Sequence, residues 1–294
     1  MLACDSPRPV HKYMISFGKS PVILTAVGVV AGGAGCAHRP RREPEQSSIR
    51  YELAVDYLAK RRVEPALEEL QKSLALDPEN ADAHNLHGLI ALQQGAGYVA
   101  QAEAMSCLQG KDAEIVRRDA TQKFREADQH LHKAVEIRPE FPGAWNNLAV
   151  AALQLQEYDA AIHAARNALR DITYTEPEVA RANLGWAFFH KKDLQNAWKE
   201  LHEASARAPG FCVGRYRLAK VYMERKEYDL AADEVESVIG RKECPIQEAY
   251  LLGGLIHERK KDSTRARELF ARCTELAPRS CLAAECKRYT ELIQ

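Results

Sequence analysis

The chain of 294 residues carries 41 basic and 41 acidic residues, so its formal net charge is zero. A balanced charge gives no support to binding of nucleic acid or of an anionic surface, because both rely on an excess of basic residues. The hydrophobic fraction of 46% is ordinary for a folded protein.

The first 35 residues have the composition of a secretory signal. Lys12 and Lys19 precede an apolar run of 11 residues, and four small residues follow that run. This order is typical of a signal peptide, and the apolar run is too short to span a bilayer comfortably. The sequence leaves the true start open between Met1 and Met14, and a start at Met14 would give a more usual signal length.

Cys36 directly follows the small residues. Small residues before a cysteine resemble a bacterial lipobox, although Gly33 stands where Leu is usual. The match implies cleavage before Cys36, lipidation of this residue and, since Ala37 follows it, transfer to the periplasmic face of the outer membrane. Residues 36–47 would then form the lipidated cysteine and a polar tether. An ordinary signal peptide, or an uncleaved anchor with an incidental cysteine, is the alternative.

Residues 48–294 carry two markers of a helical repeat, each of them a small residue that recurs at a regular interval. The intervals are 34 to 36 residues, with one exception of 61. This period is that of tetratricopeptide repeats (TPR), whose helix pairs cannot bury their apolar faces alone and therefore stack on one another. The marker of the first helix falls at Ala54, Gly88, Ala149, Gly185, Ala219 and Gly254, and that of the second helix at Ala66, Ala127, Ala161, Ala197, Ala231 and Ala266.

The two markers predict an all-α fold. We expect a superhelical solenoid of about six helix-turn-helix TPR repeats, followed by a C-terminal capping helix at Ser280–Ile293. The interval of 61 residues requires an insertion of 27 residues between Gly88 and Ala127, which we place near residues 95–122. Residues 95–97, a Gly-Ala-Gly sequence, are expected to form a loop that opens this insertion.

The first helix of each repeat is expected to line the concave face of the array, so groove positions can be counted from its small residue. These positions are mainly apolar in repeats one to four and gain charge later, and Lys and Arg are too scarce there for the clamp by which chaperone-type TPR domains hold acidic C-termini. Such a strip suits an amphipathic helix or an apolar extended segment of a protein partner. For any one residue, packing inside the array is the alternative. The candidate groove residues are Tyr51, Val55, Leu58, Leu89, Leu92, Asn146, Val150, Trp186, Phe189 and Tyr216.

Six cysteines lie beyond the N-terminal segment, and export would place them in an oxidising compartment where disulfides persist. Cys212 begins the first helix of repeat five and Cys244 follows its second helix, so we expect these two to pair across the ends of a hairpin. Cys273 is expected to pair with Cys281, with Cys286 as a close alternative. Free or buried thiols are the competing interpretation for all six.

The sequence offers no persuasive catalytic constellation. His257 and Glu258 begin like a zinc-protease motif, but Lys261 occupies the position of the second histidine ligand. Pairs of histidines in the second repeat fall at ordinary repeat positions, where packing or exposed histidines are expected. We therefore expect no enzymatic activity, no cofactor, no metal and no small-molecule substrate.

The combination of a lipobox-like signal, a short polar tether and about six TPR repeats resembles the type IV pilus secretin pilotins, the PilF/PilW/Tgl group. The stretches ENADAHNL and EAYLLGGLIHERKKDSTRARELF are similar to that family, as is the joint ALRDITYTEPEVARANLGWAFF with its lengthened turn. The resemblance covers roughly residues 48–294. Its discriminating features are the lipid signal and the irregular joint at Asp171–Pro177, whereas the insertion and the cysteines depart from the simplest members.

The resemblance implies a non-enzymatic lipoprotein on the inner leaflet of the outer membrane. Such a protein binds secretin subunits and helps them assemble into the channel through which the pilus emerges, so motility would depend on it. The alternatives, in order, are a periplasmic scaffold for cell-wall enzymes, an enzyme or enzyme accessory domain, and a cytoplasmic adaptor.

Overall fold

The computed structural model of the chain describes residues 42–104 and 111–293, and the signal segment, Cys36 and Cys107 lie outside them. The described part is all-α, and helices that follow each other in the sequence pack against each other. The helices are α1 (Pro44–Ala59), α2 (Val63–Leu76), α3 (Ala81–Ala104), α4 (Lys111–Ile137), α5 (Pro142–Gln154), α6 (Tyr158–Ala168), α7 (Pro177–His190), α8 (Leu194–Arg207), α9 (Cys212–Glu224), α10 (Tyr228–Ile239), α11 (Gln247–Arg259), α12 (Ser263–Leu276) and α13 (Cys281–Leu292).

The helices form six sequential pairs, from α1–α2 to α11–α12, and α13 packs on the last pair. The expectation of six repeats with a terminal helix is therefore confirmed. In each of the five pairs whose connecting turn lies in the described ranges, that turn contains one residue in the left-handed backbone region, with φ between 58° and 64°. These residues are Arg61, Gln156, Lys192, Lys226 and Lys261.

Glycine and alanine allow the two helices of a pair to approach closely, as the repeat pattern indicates. A methyl group on Gly185 of α7 would lie 2.7 Å from Cγ of Leu201 and 3.1 Å from the backbone oxygen of Ala197, both on α8. Leu201 is itself completely buried. A large side chain thus fills the space beside each small one, which is the dense packing that a protein interior requires.

The insertion lengthens both helices of the second repeat. Helix α3 has 24 residues and α4 has 27, whereas the other helices have 11 to 16. The prediction of a loop at residues 95–97 is wrong, because α3 continues through these residues. Gly95 faces Phe124 of α4, and an added Cβ would lie 2.5 Å from its ring. This close packing outweighs the helix penalty of about 1 kcal/mol for glycine. Helix α3 also contacts α13.

Two disulfides connect helices near the C-terminal end of the array. Cys212 and Cys244 are bonded, as expected from the hairpin geometry, with a Cα–Cα distance of 5.7 Å. Cys273 is bonded to Cys286, with a Cα–Cα distance of 6.2 Å, and not to the favoured Cys281. Both Cys273 and Cys286 are completely buried between α12 and α13, whereas Cys281 at the start of α13 takes part in another disulfide.

The joint between α6 and α7 has a defined turn. The backbone N–H and the hydroxyl of Thr173 both donate hydrogen bonds to Oδ1 of Asp171, at 2.8 Å and 2.7 Å. This local bonding leaves the side chain of Ile172 97% exposed.

None of the helices in the described ranges is long and apolar enough to cross a membrane.

Candidate functional site

The first helices of successive repeats form one continuous face, which we call the inner face. Helix α3 contacts α5, α5 contacts α7, α7 contacts α9 and α9 contacts α11. Helices in this position line the extended binding surface of stacked-repeat proteins. The inner face is therefore the candidate site for a protein partner.

The ten predicted groove residues divide into two groups by exposure. Leu92, Asn146 and Phe189 are buried, so they pack the array and offer little surface to a partner. For these three residues the groove assignment is corrected. Asn146 accepts a hydrogen bond from Asn183 of α7, and Leu92 and Phe189 pack in the main apolar core. The residues that keep accessible surface are Tyr51, Val55, Leu58, Leu89, Val150, Trp186 and Tyr216.

The apolar part of the inner face is most accessible at its N-terminal end. Val55 on α1 is 42% exposed, while Tyr51 and Leu58 on the same helix are half-buried against the core of repeat one. Ile49 is 63% exposed, but six residues before Val55 it projects from a different side of α1. Val55, flanked by Tyr51 and Leu58, thus gives α1 an accessible apolar surface, which is the chemistry that an apolar protein segment requires.

A ladder of polar side chains runs across the inner face and joins consecutive first helices. Nδ2 of Asn147 on α5 donates to Oδ1 of Asn85 on α3 at 3.0 Å. Nδ2 of Asn183 on α7 donates to Oδ1 of Asn146 on α5, also at 3.0 Å. Since Asn146 and Asn183 are buried, these bonds satisfy polar groups that would otherwise be costly to enclose.

The ladder ends on Arg217 of α9. Its Nη1 donates to the backbone oxygen of Ala182 at 3.1 Å and to Oδ1 of Asn183 at 3.0 Å. The surrounding protein is close enough that burial lowers the pKa of Arg217 to about 10. Asn183 and Arg217 were not among the predicted groove residues. The signal that could have found Asn183 was the recurrence of asparagine at similar positions of repeats two, three and four.

Aromatic rings accompany this cation on α7. Trp186 stacks on Phe189 with ring centroids 4.8 Å apart and an interplanar angle of 3°. Cζ of Arg217 lies 5.3 Å from the centroid of Trp186, and Nζ of Lys220 lies 5.6 Å from it. Nζ of Lys220 is also 5.7 Å from the ring of Tyr216. Cations at these distances interact favourably with the electron-rich ring faces.

A histidine cluster lies in the second repeat, between α3 and α4. Nδ1 of His84 and Nδ1 of His130 are 3.0 Å apart, and the rings of His87 and His130 stack at 3.8 Å. Burial, with smaller contributions from His87 and His84, lowers the pKa of His130 to about 4. Burial also lowers the pKa values of His84 and His87. The cluster is therefore neutral at pH 7 and packs the two helices together.

The described residues form no candidate metal site, and this includes the histidine cluster. Within residues 42–104 and 111–293, no group of three or more His, Cys, Asp or Glu side chains is arranged to hold a metal ion. His257 lies 3.2 Å from Asp262 in the turn after α11, which is a local contact at the end of a helix. The inner face carries accessible apolar side chains on α1 and the cations Arg217 and Lys220 on α9. It is therefore the surface suited to recognition of a protein partner.

Comparison with known proteins identifies the family. The tetratricopeptide repeat model matches residues 51–102, 117–175 and 216–280, which is more than half of the chain. The chain therefore belongs to the tetratricopeptide repeat family, whose stacked helix pairs serve as scaffolds for protein–protein interaction. No curated protein sequence matches the chain.

Several solved structures share the fold. The crystal structure of PilW, described as a widely conserved type IV pilus biogenesis factor, is 20% identical with a TM-score of 0.65, and the match covers 81% of this chain and 97% of PilW. Pseudomonas aeruginosa pilF is 18% identical with a TM-score of 0.62, over 83% of this chain and 98% of that protein. TTC0263, a thermophilic TPR protein from Thermus thermophilus, is 15% identical with a TM-score of 0.51, over 70% and 98%.

Proposed function

We propose that this chain is a lipid-anchored TPR protein that binds secretin subunits and promotes their assembly in the outer membrane for type IV pilus biogenesis and motility. The observation that carries the proposal is the extent of the likeness to PilW and pilF. The chain covers 97% and 98% of these proteins with one array of repeats, so their whole fold has a counterpart here.

The inner face supplies the chemistry that this role needs. A secretin subunit on its way to the membrane exposes apolar segments that would aggregate in water. The exposed side chain of Val55, flanked by Tyr51 and Leu58 on α1, offers an apolar surface that such a segment can cover. Because α1 is the first helix of the array, this surface also lies nearest in sequence to the proposed lipid anchor at Cys36.

The two disulfides support an extracytoplasmic location. The bonds Cys212–Cys244 and Cys273–Cys286 persist in an oxidising compartment and are rare in a reducing one. The lipid anchor at Cys36 stays a proposal drawn from the sequence. With two or three acyl chains, each CH₂ contributing about 0.8 kcal/mol, such an anchor would hold the protein at the membrane.

The anchor has a direct test. Cys36→Ala should move the protein from the membrane fraction to the soluble periplasmic fraction, because no acyl chain can be attached. Ala37→Ser, beside Cys36, serves as the control, because it leaves every cysteine in place. If Cys36→Ala stays in the membrane fraction while the signal is still cleaved, the lipidation proposal is wrong.

The function itself is tested by the abundance of secretin multimers in cells that lack this protein, measured by immunoblot of unboiled samples. We expect monomers to persist while heat-resistant multimers disappear, with recovery when the wild-type gene is restored. Normal multimers in the deletion strain would refute the pilotin role. The next candidate would then be a periplasmic scaffold for cell-wall enzymes, to be examined by capturing partners from membranes.

A further inference from the structure

Arg217 and Lys220 on α9 differ from other basic residues of the first helices in having no ion-pair partner. In repeats one, four and five, a first-helix arginine pairs with a glutamate 19 residues later on the second helix of the same repeat. The distances are 3.0 Å for Arg50–Glu69 and 2.7 Å for Arg181–Glu200. Arg215–Glu234 on α9 and α10 is also 2.7 Å. The charge of such an arginine is therefore balanced within its own repeat.

Arg217 and Lys220 lack this balance. Within the described part of the chain, neither residue has a carboxylate within 4 Å, and Lys220 has no hydrogen-bond acceptor. Nη1 of Arg217 is held by Ala182 and Asn183, which leaves Nε and Nη2 without a protein acceptor. Both residues are half-buried. A partly enclosed cation without a counter-charge is unfavourable, and a bound anion would relieve this cost.

The electrostatic effects on neighbouring groups agree with a local excess of positive charge. Burial lowers the pKa of Lys220, although Glu224 and Glu248 act in the opposite direction. Burial also lowers the pKa of His190, and Lys220, Lys192 and Arg217 lower it further. With His190 neutral, two cations approach the ring of Trp186 at pH 7, and the carboxylates of Glu224 and Glu248 lie more than 4 Å from Lys220.

The geometry fixes where an anion would lie. Arg217 and Lys220 are three residues apart, so they project from the same side of α9. Both approach the ring of Trp186, at 5.3 Å and 5.6 Å. The hydrogen bonds from Arg217 to α7 hold its guanidinium in one orientation before any ligand arrives, which reduces the entropic cost of binding. A carboxylate bound by these two cations would thus lie next to the ring of Trp186.

We propose that Arg217 and Lys220, beside Trp186 and Tyr216, form a subsite that binds a carboxylate of the partner segment, with a neighbouring apolar side chain of that segment packed on Trp186. The inference rests on the proposed function, since it specifies the chemistry of the segment that the inner face binds. The carboxylate comes either from an Asp or Glu side chain or from a free C-terminus. Charge complementarity is what selects an acidic segment here, because the site offers two cations and neither forms an ion pair with Glu224, Glu248 or any other described carboxylate.

The first experiment uses the full chain in detergent micelles and a library of random 12-residue peptides displayed within a longer chain. This format offers side-chain carboxylates but no free peptide C-terminus. Peptides selected by the wild type should contain Asp or Glu next to an aromatic or aliphatic residue. Replacing that acidic residue by its amide, or making Lys220→Gln, should lower the affinity at least about tenfold. Lys220→Arg should retain binding, because it retains the charge.

Lys226→Gln is the matched control for the loss of one lysine on the same repeat. Lys226 is exposed in the turn after α9, and Gln156 occupies the equivalent turn position of repeat three with a similar φ. This variant should fold and bind as the wild type does. Lys220→Gln should also fold, since the side chain of Lys220 donates no hydrogen bond to the described protein. Circular dichroism checks both.

The second experiment uses overlapping synthetic 15-residue peptides that cover the cognate secretin, with the final peptide made both as free acid and as amide. Loss of binding only on amidation would assign the carboxylate to the C-terminus. If secretin peptides bind equally well with acids or amides and equally well to Lys220→Gln, the carboxylate subsite is refuted while the secretin role stands. If no secretin peptide binds but acidic library peptides bind in a Lys220-dependent manner, the subsite stands and the secretin role fails. The subsite would also be refuted if the selected library peptides contained no acidic residues and the free-acid and amidated peptides bound equally well.

Discussion

The close approach of α7 and α8 at Gly185 leads to a quantitative prediction for Gly185→Ala. The new methyl carbon would lie 3.1 Å from the backbone oxygen of Ala197 and 3.2 Å from the backbone nitrogen of Leu201. A flexible side chain could move aside, but backbone atoms of a helix cannot. The two helices must therefore separate by several tenths of an ångström. Overpacking of this kind costs about 1–3 kcal/mol.

Gly97→Ala is the matched control for this variant. Gly97 also lies within a helix, α3, but an added Cβ would meet no atom within 4 Å. Both substitutions gain about 1 kcal/mol from the higher helix propensity of alanine. This gain cancels when the two variants are compared, so the difference in unfolding free energy between them isolates the packing cost. We expect Gly97→Ala to be the more stable variant by about 1–3 kcal/mol.

Urea unfolding followed by circular dichroism measures this difference, with the slopes compared to check that the cooperativity of the array is unchanged. For a domain of this size each kcal/mol corresponds to about 2–4 °C in melting temperature, so a thermal scan gives a second reading. Equal stability of the two variants, or a more stable Gly185→Ala, would contradict the reasoning. It would show that the small residue marks the repeat without being required by the approach of the helices.

Three further predictions concern a disulfide, the pH dependence and the apolar strip. Replacing Cys212 and Cys244 by Ala should lower the unfolding free energy by roughly 4 kcal/mol in the chain-entropy estimate for a separation of 32 residues, and urea unfolding with and without reductant checks this. Because the pKa of His130 is lowered to about 4 in the folded state, the unfolded chain takes up the proton first. Stability should therefore fall as the pH drops from about 6.5 to about 4, less steeply in His130→Gln, and a pH-independent melting temperature would contradict the buried cluster. Val55→Glu should weaken partner binding without unfolding, whereas Leu230→Glu, on a residue of α10 that is 48% exposed, should leave binding unchanged in the same pull-down.

The repeat architecture could be predicted from the sequence because it depends on local spacing. The small residues from Ala54 to Gly254 recur with the period of a helix pair, and each pair can pack in only a few ways once its small positions are fixed. The same reasoning placed Cys212 and Cys244 at adjacent ends of one hairpin. The predictions that failed are the loop at residues 95–97 and the pairing of Cys273 with Cys281, and both depend on packing between helices. Residues 95–97 read as a loop because glycine disfavours a helix, yet packing of Gly95 on Phe124 keeps α3 helical.

Contacts between repeats were beyond the reach of the sequence pattern. Cys281 and Cys286 both lie on α13, and the rotation of that helix on α12 decides that Cys286 faces Cys273. Stacking of α7 on α9 likewise brings Arg217 to Asn183 and Trp186, over 30 residues apart in the chain. Spacing within the sequence determined the helices and the register of their small residues, since both follow from the helical period. Only the tertiary structure decided which side chains meet across repeats, because that depends on how far each helix is turned and displaced against the next.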